Sequence, residues 1–421
     1  MHVFPPAGME QTSTLTQTYT SRYYPWLIAG SGLLILVTIN GLTTSSLSVF
    51  DEVLQKEFGL SRSLLKSRET VTYAISATFI LFSGILIDRI GVKRLLVAGL
   101  TFMTLALAGY GYAQSLAFLY FIHVLLGLAY VCAGSVAVVI LVSAWFQEKR
   151  GLALGITLAG TSLGSAIFPP ILTQLIQTQG WRQAFHWLAF VPFVLLIYTA
   201  FLVQSTPEKA GLEPYGRKFP EKTLVKQGKT YAEALRMPLF WLISLCGFLT
   251  FLGIVGIVSN LFLHLRNMGY GSPEAAWTLS FYFALALIGK FIVSFLSDYV
   301  SVYPLFTTCL VGLMLGALGL ASFSRDLIIP SVAVAALSWG GVFTMYNVLI
   351  VRSFGLKAAG KINGTISLFE NFGSLTGPWV MGWLSEQYGS YQYPLFLTAG
   401  IIGFAAVVSI FFFRLTLHPK H

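Results

Sequence analysis

Charge is scarce in this chain. Asp, Glu, Lys and Arg make up only 10% of its 421 residues, where a soluble globular domain carries about 25%. So few charges cannot cover a water-facing surface, which excludes the two or three soluble domains that the length alone would allow. Disorder is excluded as well, because a disordered chain needs low hydrophobicity and many charges. Cysteine is rarer still. Cys132, Cys246 and Cys309 each sit in an apolar run, so there is no disulfide framework. No nucleotide-binding P-loop occurs, which argues against an ATP-driven pump. No zinc-protease or nucleophile-elbow motif occurs, which leaves a membrane enzyme without support, and no residue pattern calls for a cofactor or a metal. What the chain has in abundance is apolar surface. Hydrophobic residues are 56%, mean hydropathy is +0.75, aromatics are 15%, and 40 glycines are spread through the apolar runs. That mixture fits packed membrane helices.

An apolar stretch of about 20 residues spans a bilayer as a helix. Twelve such stretches are present, near 26–50, 69–87, 95–114, 118–145, 151–177, 183–203, 238–263, 275–297, 304–323, 328–353, 360–385 and 393–414. Residues 1–24 are polar and rich in Ser and Thr, and read as a disordered tail without the features of a signal peptide. Residues 204–236 are rich in Lys, Pro and Gly and read as a linker outside the bilayer. The expected organisation is a six-helix bundle over 25–203, the linker, a second six-helix bundle over 237–415 and a short tail over 416–421. With the N-terminus placed in the cytoplasm, 18 Lys and Arg fall on the linker's side and 7 on the other, which predicts both termini and the linker inside. The net charge of +10 is thus a topology signal with some attraction to anionic lipid, and needs no nucleic-acid partner.

The two halves resemble each other. An offset of 209 pairs Gly151 with Gly360, Gly155 with Gly364, Gly164 with Gly373, Ser165 with Ser374, Pro169 with Pro378 and Gly180 with Gly389. Asp88 and Asp298 pair at an offset of 210. Parallel six-helix repeats are a transporter architecture, with the site between the halves near the midplane.

Between the second and third stretches lies GILIDRIGVKR, Gly84 to Arg94. It fits the pattern G-x-L-x-D-R-x-G-x-K-R and so resembles the loop signature of the major facilitator superfamily. The resemblance implies an all-α membrane protein of twelve transmembrane helices in two six-helix pseudo-repeats. It also implies that Gly84, Asp88, Arg89, Gly91, Lys93 and Arg94 belong to a conformational latch that breaks and remakes as the halves rock; the plainer reading is an ordinary positive loop at the cytoplasmic face. The segments WFQEKRGLALGITLAGTSLG from Trp145 and GTISLFENFGSLTGPWVMGWLSEQYGSY from Gly364 resemble the monocarboxylate transporter branch and its oxalate/formate antiporter relatives. This resemblance covers about residues 26–415. It implies a small organic anion as cargo, symport with a proton or antiport, a plasma-membrane location and a monomer.

Ionisable groups inside a membrane usually mark a pathway, because a charge at the helix centre costs several kcal/mol. Lys290 in ALIGKFIVSFLSD and Glu370 in the eleventh stretch stand out. The related carriers place an Arg after the Gly of that eighth helix, and Gly289-Lys290 matches the pair with the charge kept and the planar fork lost. Two other positions depart from the animal monocarboxylate carriers: their Asp one turn before the Arg is Ala286 here, and their first-helix Lys falls near Ser45. The rival reading of Lys290 is snorkelling toward Asp298. Glu370 is read as a proton carrier or as a structural partner of Lys290. His123 is a second proton-coupling candidate or a helix–helix hydrogen-bond donor. Asn40, Tyr282, Tyr346, Asn347 and Asn371 are candidates for cargo contact or polar glue between helices. Two rival functions stand beside anion transport. An exporter of drugs or lipophilic compounds would have an aromatic cavity with no need of Lys290. A carrier-like nutrient sensor would carry longer cytoplasmic extensions.

Overall fold

The computed structural model describes residues 7–43, 45–80, 82–216, 228–355 and 357–417. They form sixteen α-helices: α1 Ala7–Thr43, α2 Asp51–Phe58, α3 Arg62–Ile80, α4 Ser83–Ile90, α5 Val92–Tyr110, α6 Leu116–Ala133, α7 Ser135–Trp145, α8 Arg150–Gln179, α9 Trp181–Leu202, α10 Tyr231–Arg236, α11 Pro238–Asn267, α12 Ser272–Leu296, α13 Val302–Ala321, α14 Arg325–Phe354, α15 Ala359–Gln387 and α16 Gln392–Leu417. With α3–α4 and α6–α7 each counted as one broken rod, and the short α2 and α10 set aside, there are twelve rods. Ten helical segments are long and apolar enough to cross a membrane on length and composition alone. The other two, α3–α4 and α15, have the length but carry more polar groups along them, Lys66, Arg68 and Glu69 on one and Asn363, Glu370 and Asn371 on the other.

The outer surface explains why such helices are stable only in lipid. Phe201, Phe295, Phe190 and Phe404 are all more than half exposed on outward helix faces. A surface this apolar would aggregate in water, and acyl chains cover it in a bilayer. Without a hydrophobic drive between helices in lipid, close packing through small residues holds them together. A Cβ on Gly164 of α8 would lie 2.0 Å from the Val37 carbonyl of α1, and one on Gly373 of α15 would lie 2.3 Å from the Phe248 carbonyl of α11. The repeated glycines therefore serve the same close crossing in both halves.

The polar segment 204–236 is anchored at both described ends. Tyr215 pairs with Phe146 just after α7, and Gly228 pairs with Gly355 just after α14. Phe146 and Gly355 are 209 residues apart, so the linker docks on equivalent corners of the two halves. Thr230 and Glu233 form a capping box on α10, and the backbone N–H of Thr230 holds the Glu233 carboxyl below its usual range.

Two expectations are corrected. α1 begins at Ala7, so residues read as a disordered tail continue the first helix, as propagation of an existing helix is easier than its nucleation. α3 begins at Arg62 rather than near residue 69, so Lys66 and Arg68 lie inside a helix and are fully buried. Lys290 is therefore not the only basic residue within a membrane rod.

Candidate substrate cavity

Between the two halves lies a cavity of about 340 Å³. α1, α3, α6, α7 and α8 line it from one half, and α11, α12, α14 and α15 from the other. At the end of the molecule that carries the linker, the helix starts around it stand apart. A Cβ added at Gly151, Gly155, Gly360 or Gly364 would meet nothing within 4 Å. At the far end the halves are joined: Arg62 donates to Asn267 at 3.1 Å, Ser63 Oγ to Glu386 at 2.7 Å, and Arg266 pairs with Glu52 at 2.7 Å. The cavity is thus closed at the far end.

Lys290 reaches the cavity because α12 and α14 cross closely. A Cβ on Gly289 would lie 2.2 Å from the Leu337 carbonyl, and one on Gly340 would lie 2.1 Å from that of Ala286. The crossing sets Lys290 Nζ 4.5 Å from the centre of the Phe343 ring on α14. The ammonium donates to Thr161 Oγ1 of α8, in the other half, at 2.8 Å. No carboxylate lies within ion-pair distance of it among the described residues. Glu370 lines the same cavity and packs against Gly247 of α11, where an added Cβ would stand 3.2 Å from its Cγ. Lys290 and Glu370 are the only Lys, Arg, Asp or Glu side chains on the cavity wall among the described residues, and they do not pair.

Of the other candidates, Asn40, Tyr346, Asn347 and Asn371 line the cavity. Tyr282 does not; it is fully buried in the helix packing of α12. His123 is also away from the wall, with Nδ1 2.7 Å from Thr72 Oγ1 and Nε2 2.5 Å from the Tyr110 hydroxyl. Both ring nitrogens are thus taken by hydroxyls inside one half. Sequence reasoning missed Thr161, Ser162, Ser165, Ser367 and Ser374, which also line the cavity. Hydroxyls of this kind recur on every helix, and only the α8–α12 contact tells which of them meet Lys290.

In the loop signature, Asp88 and Arg89 are exposed at the linker end and form no ion pair among the described residues. Gly91 turns the chain from α4 to α5 at φ 87°, a conformation other residues rarely adopt. Gly84 lies in α4, and Lys93 and Arg94 in the first turn of α5.

The profile described as Major Facilitator Superfamily matches residues 33–375 and 267–421. Among curated relatives, an MFS-type transporter of Gibberella moniliformis is 27% identical over 62% of this chain and 60% of its own length, so this chain spans under two thirds of it. The oxalate:formate antiporter of Oxalobacter formigenes is 23% identical, with 85% of each chain covered. A probable sulfoacetate transporter of Cupriavidus necator is 25% identical over 87% of this chain and 89% of its own. A solved bacterial homologue of the human lysosomal transporter Spinster, inward-facing and unoccupied, superposes with a TM-score of 0.70 at 16% identity, covering 93% of this chain and 96% of that one. That likeness shows the fold.

Proposed function

The chain belongs to the major facilitator superfamily, and on that premise we propose that it moves a small organic anion, a mono- or dicarboxylate, by alternating access. The observation that carries this reading is Lys290, an ammonium on the wall of a cavity between the halves, held by a hydroxyl and a ring face and, among the described residues, by no carboxylate. A buried charge without a counter-ion is costly unless a ligand supplies one. A cargo carboxylate supplies it, and the amides of Asn40, Asn347 and Asn371 with the hydroxyl of Tyr346 are placed to bind the rest of the molecule. The relatives named for oxalate, formate and sulfoacetate support the same cargo class. Transport is by symport with a proton or by exchange, and needs only two states of similar free energy biased by cargo. The linker end is cytoplasmic, and the protein works as a monomer in the plasma membrane. Gly84, Asp88, Arg89, Gly91, Lys93 and Arg94 form the latch that closes the linker end in the opposite state.

The test is counterflow in liposomes with labelled oxalate, formate and sulfoacetate as probes. Lys290→Ala is expected to reduce counterflow of the accepted anion at least about tenfold, since truncating a buried charge partner costs about 2–5 kcal/mol. Lys290→Arg keeps part of it. Normal counterflow by Lys290→Ala overturns the site. A second reading, export of lipophilic compounds, is favoured by Phe251, Phe283, Trp339 and Phe343 on the same wall; it predicts that Lys290→Ala retains efflux of an aromatic cation dye.

A further inference from the structure

The cavity wall carries one basic and one acidic side chain that do not meet. Lys290 Nζ donates to the Thr161 hydroxyl at 2.8 Å and stands 4.5 Å from the centre of the Phe343 ring. Glu370 lies against Gly247 of α11, and so does the Tyr346 ring of α14; a Cβ built on Gly247 would stand 3.2 Å from the first and 3.7 Å from the second. Neither Lys290 nor Glu370 has an ion-pair partner among the described residues. A run of rings links them along the wall. Phe343 packs on Trp339 at 5.9 Å, Trp339 on Phe251 at 5.2 Å and Phe251 on Tyr346 at 6.1 Å, centre to centre. All of these rings line the cavity. The run begins at the ring beside Lys290 and ends at the ring beside Glu370. Phe343 and Tyr346 stand one turn apart on α14, about 5 Å along its axis, so the two groups serve neighbouring parts of one cavity.

We propose that the cargo is a zwitterion: Lys290 takes its carboxylate, and Glu370 takes an ammonium or quaternary ammonium group on the same molecule. This rests on the carboxylate reading of Lys290 and narrows it to carboxylates that also carry a cation, the chemistry of amino acids and betaines. A simple monoanion would match Lys290 and leave Glu370 without a cation. A dianion would bring a second negative charge to an acidic wall. A zwitterion meets both groups and adds no net charge, so the carrier can close over it with no unmatched charge in the bilayer. Its cationic end holds Glu370 in the carboxylate form, as a close opposite charge does.

The rest of the wall fits such a molecule. A cation drawn to Glu370 reaches Tyr346 and Phe251, and aromatic rings attract cations, quaternary ammonium groups among them. Asn371, next to Glu370, donates its amide to the Ser367 carbonyl at 2.7 Å, so its oxygen is what it offers the cavity, an acceptor for an ammonium hydrogen. The volume of about 340 Å³ is at the small end for a ligand pocket, which suits a molecule of amino-acid size.

The test compares molecules that differ only in the cation. Glycine betaine is matched with tert-butylacetate, γ-aminobutyrate with pentanoate, and phenylalanine with its analogue bearing a methyl group in place of the ammonium. Each match keeps the shape and the carboxylate. The purified full-length protein is titrated with each compound at neutral pH by calorimetry. At least one zwitterion is expected to bind at least about tenfold more tightly than its match, about 1.4 kcal/mol. A preference for the betaine identifies a quaternary ammonium cargo, and a preference for either amine a primary one. Glu370→Gln is expected to bring the ratio to about one and Glu370→Asp to keep part of it, while binding of the anionic match shows that each variant is folded. A wild-type protein that prefers none of the zwitterions, or an unchanged ratio in Glu370→Gln, overturns the proposal. Lys290→Ala is expected to weaken both members of a match. Wild-type binding of both by Lys290→Ala overturns the carboxylate site instead, so the two failures are separable.

Discussion

Thr161 and Glu370 occupy equivalent positions in the two halves, 209 residues apart, and both face one cavity. On α8 the Thr161 hydroxyl receives the Lys290 ammonium at 2.8 Å. On α15 its counterpart is a carboxylate packed against Gly247. The repeat thus places a hydroxyl on one wall and a carboxyl group on the other, and the single basic side chain on the wall among the described residues leans toward the hydroxyl.

Removing that acceptor tests how Lys290 is held. Thr161→Val keeps the shape and deletes the hydroxyl. A hydrogen bond to a charged group contributes about 1.5–3 kcal/mol, so anion affinity is expected to fall at least about tenfold as the ammonium loses its aim. In a Lys290→Ala background the same change is expected to add little, because the two residues act as one unit. Titration of the four proteins with the accepted anion measures this coupling, and additive losses contradict it.

If Lys290 holds the cargo as proposed, Glu370 on the wall of the same cavity bears on the charge that cargo can carry. A dianion held by Lys290 brings its second charge toward the opposite wall, where an ionised Glu370 would repel it. Glu370→Gln is expected to raise the affinity for oxalate relative to formate by about tenfold, about 1.4 kcal/mol. Competition of the two against labelled substrate checks the ratio. An unchanged ratio means that Glu370 does not face the cargo.

Apolar length located the rods in the sequence, ten of them on hydropathy and length alone and α3–α4 and α15 with more polar groups along them. The loop signature and the paired glycines were equally legible, as they depend on local spacing. The start of α3 was not. The run Lys66-Ser67-Arg68-Glu69 looks like a loop when scanned for apolar character. It is buried because its charges cancel against each other and against Asp51, which enters from a different helix. Lys66 and Glu69 stand three apart, the spacing that lets opposite charges meet on one helix face, and this was the available signal. Tyr282, a candidate for cargo contact or polar glue between helices, is not on the cavity wall for a related reason. Periodicity gives a helix its faces, and only packing decides which face meets the cavity.

Orientation is open to a direct check. Lys209 sits in the exposed part of the linker. Lys209→Cys is expected to resist impermeant thiol reagents in intact cells and to react after permeabilisation. With Lys66 and Arg68 inside a helix the basic residues on the far side fall from 7 to 5 against 18, which sharpens the expectation. Labelling from outside reverses the topology.

The proposed latch turns on Asp88. In this conformer it is exposed at the linker end and forms no ion pair among the described residues, so Asp88→Asn is expected to leave folding and thermal stability unchanged. The neutral amide is expected to weaken the closed linker end and slow turnover. Counterflow rate together with melting temperature separates these effects, and a wild-type rate removes Asp88 from the mechanism.

The glycines of the repeat divide into two kinds, and substitution distinguishes them. Gly164 stands where α8 crosses α1, and a Cβ there would meet the Val37 carbonyl at 2.0 Å and the Gly41 Cα at 3.0 Å. Gly164→Val must push the two helices apart, and overpacking of this kind costs about 1–3 kcal/mol. The expected result is a lower melting temperature in detergent and reduced yield. Gly155 lies two and a half turns earlier on the same helix, at the open linker end, where an added Cβ meets nothing within 4 Å. Gly155→Val therefore leaves this conformer intact. Closing the linker end brings α8 toward the other half, and the added side chain then stands between them. Transport is expected to fall at least about fivefold while the melting temperature stays at the wild-type value, one more kcal/mol in the closed state being worth about fivefold in its population. The equivalent substitution Gly364→Val in the second half is expected to behave in the same way. If Gly155→Val lowers the melting temperature as much as Gly164→Val, the two glycines serve one packing role and the linker end does not close upon Gly155.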